Sequence, residues 1–168
     1  GDIVREYINF CDPSIVWDLG SNNGFFSRLA LEKASLVVSF DIDEKAVSQN
    51  YFMCKKDGSQ KILPLVLDLT NPSSGIGWAN KERHSLHDRG PADLILALAL
   101  IHHMAISNNV PFEEIASYFS SLGHDLIIEF VPKSDSKVQF LLSSRVDVFS
   151  DYNQVNFEKA FSNYYNLS

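Results

Sequence analysis

Asp18, Asp41 and Asp68 each close a short apolar run: "IVW", "SLVVSF" and "KILPLVL" respectively. If those runs are strands of one parallel sheet, the three carboxylates line its C-terminal ridge, where ligands of such sheets bind. Asp18 also opens the turn "DLGSNNG", which carries Gly20 and Gly24 with Ser21 and Asn22 between them. Turns of this kind commonly cradle pyrophosphate, but GxGxxG spacing is absent and Asn22 stands where a middle glycine belongs. A carboxylate beside a pyrophosphate in a partly desolvated pocket is repelled, which disfavours a dinucleotide. The same carboxylate suits a ligand bearing an ammonium or a sulfonium. Asp41, with Ile42 beside it, can accept from both ribose hydroxyls. Asp68 can accept from an adenine amino group while the Leu69 backbone meets the ring edge. S-adenosylmethionine combines these groups and has no phosphate.

The elements that must position these acids alternate strand and helix. Strands are expected over 14–18, 35–40, 61–67, 92–100 and 124–131, and helices over 2–10, 24–33, 44–56, 111–121, 135–146 and 155–164. Asp43 precedes the third helix as a cap and Gly58 ends it. Pro64 inside the third strand points to an exposed start or a bulge. The fourth run, "ADLILALAL", is apolar without alternation, as a strand covered on both faces should be. Alternation at this spacing implies right-handed crossovers, hence an α/β fold. That fold is a three-layer, doubly wound, mostly parallel sheet. Asp93 begins a strand, the wrong end for a site, and reads as structural.

Beyond the acids, His102 and His103 follow the fourth strand, at the lip where an acceptor would sit. A histidine near neutral pKa can take a proton from a hydroxyl, which makes the pair the catalytic candidates. Two adjacent residues on a strand point to opposite sides, so the alternative is a core or pocket-wall role for one or both. Ala97 to Leu100 would wall the sulfonium. The irregular stretch from Asn71 to Pro91 is long enough to suggest a working loop. Within it, Trp78 and Arg83 are candidates for a lid or substrate clamp, and Arg83 or Arg89 could pair with an anionic acceptor. Glu129 and Lys133, beyond the fifth strand, are candidates for the acceptor pocket. No metal site is expected, since no third histidine or spaced carboxylate accompanies the pair.

The sequence resembles the class I S-adenosylmethionine-dependent methyltransferases. The motifs that carry the resemblance are "VWDLGSNNGFFS", "FDIDEKAV", "VLDLTNP" and "ADLILALALIHHM", spread over residues 12–131. More narrowly, "GWANKERHSLHDRGPADLILALALIHH" and "IIEFVPKSDSKVQFLLSSR" are similar to a bacterial group of nodulation-related methyltransferases. The resemblance implies a Rossmann-like sheet that ends in two further strands, the last antiparallel. Those strands are not found. With a first residue that is not methionine, this makes 1–168 read as a single domain cut from a longer chain with a flanking domain.

The expected activity is methyl transfer from S-adenosylmethionine to a small-molecule acceptor. The alternatives are a nucleic-acid or protein acceptor, or a binding module that no longer transfers methyl groups. A net charge of −7, from 14 basic and 21 acidic side chains, argues against nucleic-acid binding by this domain alone. Cys11 and Cys54 match no metal or redox spacing and read as reduced thiols. No apolar run approaches the ~20 residues of a membrane span. No signal-like start is present, so a cytoplasmic setting is expected.

Overall fold

The computed structural model describes residues 1–143 and 146–168. Helix α1 (Asp2–Cys11) leads into β1 (Ile15–Leu19), α2 (Phe25–Ala30), β2 (Leu36–Asp41), α3 (Glu44–Lys56) and β3 (Ile62–Val66). After the long connection come β4 (Ala92–Ala97), α4 (Phe112–Leu122), β5 (Gly123–Ile128), α5 (Ser136–Ser143) and α6 (Gln154–Ser162). The five strands form one all-parallel sheet in the order β3-β2-β1-β4-β5. The strand order reverses between β1 and β4, and the crevice above that switch point is where such sheets hold ligands.

Alternation along the strands fills both faces. Val16, Val37, Leu94 and Leu96 pack with Ile8, Leu29 and Ala30 of α1 and α2 on one side. Trp17, Leu19, Phe40, Ile95 and Ala97 pack with Phe119 of α4 and Phe157 and Phe161 of α6 on the other. This double covering is why β4 reads as an unbroken apolar run. Pro64 pairs with Ser39 in β3, which lies at the sheet edge, so its missing N–H costs no interior ladder bond. Asp93 ties down the opposite, N-terminal ends of the strands, accepting from the Ser14 and Ile15 N–H groups at 3.0 and 2.7 Å. Asp43 caps α3 by accepting from Lys45 N at 2.9 Å.

One expectation needs correction. The fourth strand stops at Ala97 rather than Leu100, because Ala99 takes a left-handed conformation (φ 51°) and bends the chain out of the sheet. The stretch from Asn71 to Pro91 is irregular as expected, but it is pinned by local pairings. Ile76 and Arg83 form an isolated antiparallel bridge, Ser85 and Asp88 cap one another, and Leu86 is buried in the core. The last two helices fall where periodicity put them, and residues 144–145 of the range expected for α5 lie outside the described ones.

Candidate active site

A cleft of about 510 Å³ opens over the C-terminal ends of the strands, and every strand contributes to it. Its first wall is the turn after β1. Gly20 and Gly24 are left-handed (φ 73° and 79°), and so is Asn22 (φ 50°). Asparagine is among the few residues that visit this region readily, so the turn keeps its shape without a middle glycine. Gly20 N and Ser21 N both donate to Phe40 O, at 2.8 and 2.9 Å, which fastens the turn to the end of β2.

Asp41 is held from two sides. Its Oδ2 accepts from Asn22 N at 2.7 Å and its Oδ1 from Asp43 N at 2.8 Å. Each oxygen keeps a further lone pair for a ligand. Asp68, after β3, has its Oδ1 occupied by Thr70 N and Thr70 Oγ1 at 2.8 and 2.7 Å, while Oδ2 is left over. The Thr70 hydrogen bonds hold this carboxyl below the usual carboxylate range. Leu67, Leu69, Leu98, Leu100 and Met104 give the cleft its apolar surface. The Ser21 hydroxyl, also lining it, is buried with no hydrogen-bond partner.

The far end is built by the bend after β4. Because the chain leaves the sheet at Ala99, His102 and His103 sit on a helical turn rather than a strand, and both line the cleft. Their rings lie 4.3 Å apart, tilted by 39°. His102 is 1% exposed and neither of its ring nitrogens has a partner. Burial first, then the neighbouring His103, pulls its pKa down to about 4, so it is a neutral imidazole at pH 7. Burial also lowers His103, against the pull of Asp41. Glu129, after β5, accepts from Ala99 N at 2.9 Å and so braces the bend. Lys137 and Asn108 complete this end.

No family model matches the sequence. The nodulation protein NoeA of Rhizobium meliloti (strain 1021) is 41% identical over 163 residues, which is 96% of this chain and 34% of that protein. The chain thus spans about a third of the length of the curated relative it matches. Among solved structures, magnesium protoporphyrin IX methyltransferase (ChlM) from Synechocystis PCC 6803, with bound SAH, matches 96% of this chain and 71% of its own, with a TM-score of 0.60 and 20% identity. The bifunctional kinase-methyltransferase WbdD matches 91% of this chain and 32% of its own, with a TM-score of 0.57 and 18% identity.

The chain has the class I methyltransferase fold.

Within this methyltransferase fold, the cleft gathers ten of the residues singled out by sequence: Gly20, Ser21, Asn22, Asp41, Ile42, Asp68, Leu69, His102, His103 and Glu129. Others lie elsewhere. Asp18 is 2% exposed beneath the turn, where its Oδ2 accepts from Ser27 Oγ at 2.5 Å, and Ser27 Oγ lies 2.7 Å from Ser39 Oγ. Burial pushes its pKa up to about 6, opposed by the Ser27 hydrogen bond and assisted by the charge of Asp41. Its carboxylate is turned toward α2 and β2, and it does not line the cleft. Gly24 begins α2, packed so closely against the Asn50 side chain that a Cβ would collide with it. Ala97 is fully buried inside the sheet, and Leu98 to Leu100 take the place expected for it.

Trp78 is 84% exposed and Arg83 is tied by its backbone to Ile76; neither lines the cleft. Lys133 pairs instead with Asp147 at 2.8 Å. Sequence reasoning missed Asn108 and Lys137. Asn108 follows a π-helical turn, His103–Ser107, that no periodicity signals, and its Nδ2 donates to His103 O at 2.9 Å. Lys137 stands in the first turn of α5, where nothing in the sequence sets it apart from other surface lysines. A second groove, about 610 Å³, lies between that π-helical turn and the α4–α6 pair; Phe112 and Tyr152 line it and no strand-end acid reaches it.

Proposed function

We infer that the chain binds S-adenosylmethionine in the strand-end cleft and passes its methyl group to a small-molecule acceptor. The observation that carries this reading is Asp41. It is fixed by two backbone N–H groups and retains one lone pair on each oxygen, the arrangement that a ribose diol requires. Three other features of the cleft fit the same ligand. Asp68 keeps one free oxygen beside the Leu69 backbone, suited to an adenine edge. Leucines 67, 69, 98 and 100 offer an apolar slot. The unpartnered Ser21 hydroxyl and the Gly20–Asn23 backbone offer polar contacts for the amino-acid end.

When bound, the cofactor supplies an electrophilic methyl group on a sulfonium. The chain's part is to align an acceptor with it and to keep water out, since such transfers depend mainly on positioning. His102, neutral and nearly buried, accepts a hydrogen bond from the acceptor's O–H or N–H and orients its lone pair; His103 walls the same space. Proton removal by His102 is secondary, because an imidazole with a pKa of about 4 is a weak base.

An acceptor of small size suits a chain with a net charge of −7, which disfavours polyanions. Cys11 and Cys54 are both free thiols, which supports a cytoplasmic setting. Among the described residues, no helix is long and apolar enough to cross a membrane.

Calorimetric titration with S-adenosylhomocysteine tests the reading. Micromolar binding is expected, weakened at least about tenfold by Asp41→Asn, the loss of charge-assisted hydrogen bonds to the diol. No heat with either chain, or equal affinity for both, would overturn it.

A further inference from the structure

The cleft is sorted by charge. Its donor end holds Asp41 and Asp68, while the end beyond the bend holds Lys137, His102, His103 and Asn108. The one acid between them, Glu129, accepts from Ala99 N. Lys137 stands in the first turn of α5, and among the described residues its ammonium makes no ion pair. Asp135, whose charge also reaches His102, caps α5 by accepting from Lys137 N at 2.8 Å, and Asp147 pairs with Lys133 at 2.8 Å.

His102 supplies an independent pointer to a ligand. A nearly buried side chain with both nitrogens unpartnered is rare, because each unmet polar atom costs free energy. A neutral imidazole has one acceptor and one donor nitrogen. A ligand lodged against the ring can satisfy the acceptor nitrogen by giving it an O–H, which leaves an oxyanion on the same ligand to other donors. The second N–H of the Asn108 amide is also left for such an oxyanion after Nδ2 binds His103 O.

We propose that the methyl acceptor carries an anionic oxygen group, a carboxylate or a phosphate, that sits against Lys137 and Asn108 with its nucleophilic atom on His102. This rests on the methyltransferase reading above. In the transfer, the acceptor's lone pair forms the new bond to the methyl carbon, the old carbon–sulfur pair stays on sulfur, and the acceptor's proton leaves by way of His102 or water.

The test uses the chain saturated with S-adenosylhomocysteine, with benzoate, phenyl phosphate and neutral benzamide as probes and the imidazole NMR signals of His102 and His103 as the readout. Benzoate or phenyl phosphate is expected to shift those signals and benzamide to leave them in place. The anion that binds more tightly identifies carboxylate or phosphate. Lys137→Gln should weaken the anion about fivefold, the scale of one exposed ionic contact. S-adenosylhomocysteine affinity should be unchanged, and Lys137→Arg should restore anion binding. The proposal is overturned if benzamide matches the anions, if Lys137→Gln binds them as well as the wild type, or if neither anion acts by about 10 mM, where even millimolar affinity is visible. Failure of S-adenosylhomocysteine to bind appears before any anion is added and removes the underlying reading instead.

Discussion

Asp18 shows how a residue can be legible by type and still be hidden in its setting. Its type and its place after β1 are legible in sequence, but its partners are not, because Ser27 and Ser39 come from α2 and β2 and meet it only in the folded chain. Buried on them, it behaves opposite to an ion-paired acid. Its folded pKa of about 6 lies above the ordinary 3.8, so between those values the folded chain holds a proton that the unfolded chain has lost. Its contribution therefore falls as pH rises through that window, and the loss is complete above about pH 6, amounting to at most about 3 kcal/mol. Asp68, Asp88 and Asp147, with lowered pKa values, act in the other direction, so the wild-type curve alone does not isolate Asp18. The difference between wild type and Asp18→Asn does. Denaturant midpoints measured from pH 4 to pH 7 should show the variant gaining on the wild type as pH rises. A constant difference across that range would mean that Asp18 is not protonated in the folded chain.

At the level of elements, the start of each unit was more legible than its end. Asp43 marks the start of α3 and Gly58 its close, and both act as their types suggest. The end of β4 was hidden, since Leu98, Ala99 and Leu100 are as apolar as the strand before them, and only the backbone shows the bend at Ala99. That one misreading also decided the histidines, which a strand would have sent to opposite faces and a helical turn brings together. The internal order of the Trp78 segment was hidden for a related reason. Its order comes from pairings such as Ile76 with Arg83 that leave no periodic trace. The neighbouring acids Asp41 and Asp43 separate an element's role from a ligand's. Asp43→Ala should cost about 1 kcal/mol of stability through the lost cap, with S-adenosylhomocysteine affinity unchanged. Asp41→Asn should weaken that affinity and also cost stability, because an amide can accept from only one of Asn22 N and Asp43 N. Paired chemical denaturation and calorimetry on both variants would show it, and loss of affinity in the Asp43 variant would put that acid in the site as well.

For the molecule as a whole, the parallel doubly wound sheet followed from alternation alone, whereas the place of each strand in it did not; Pro64, read as an exposed start or a bulge, lies on what proves to be an edge strand. The order matters because it makes the cleft a property of the entire sheet. Gly20 follows β1, Asp41 ends β2, Asp68 follows β3, Leu98 follows β4 and Glu129 follows β5, and all five face one space. No partial unfolding that releases a strand leaves that space intact. A ligand of the cleft therefore binds the folded chain alone and shifts its unfolding as a unit. At a hundredfold excess over its Kd, S-adenosylhomocysteine should add about 2.7 kcal/mol. For a domain of this size that raises Tm by roughly 5–10 °C. Scanning calorimetry at several ligand concentrations would check it, with the rise expected to grow with the logarithm of concentration. If calorimetric titration gives binding while Tm stays fixed, the ligand is held by a part that survives global unfolding, and the cleft is not the shared product of the five strands.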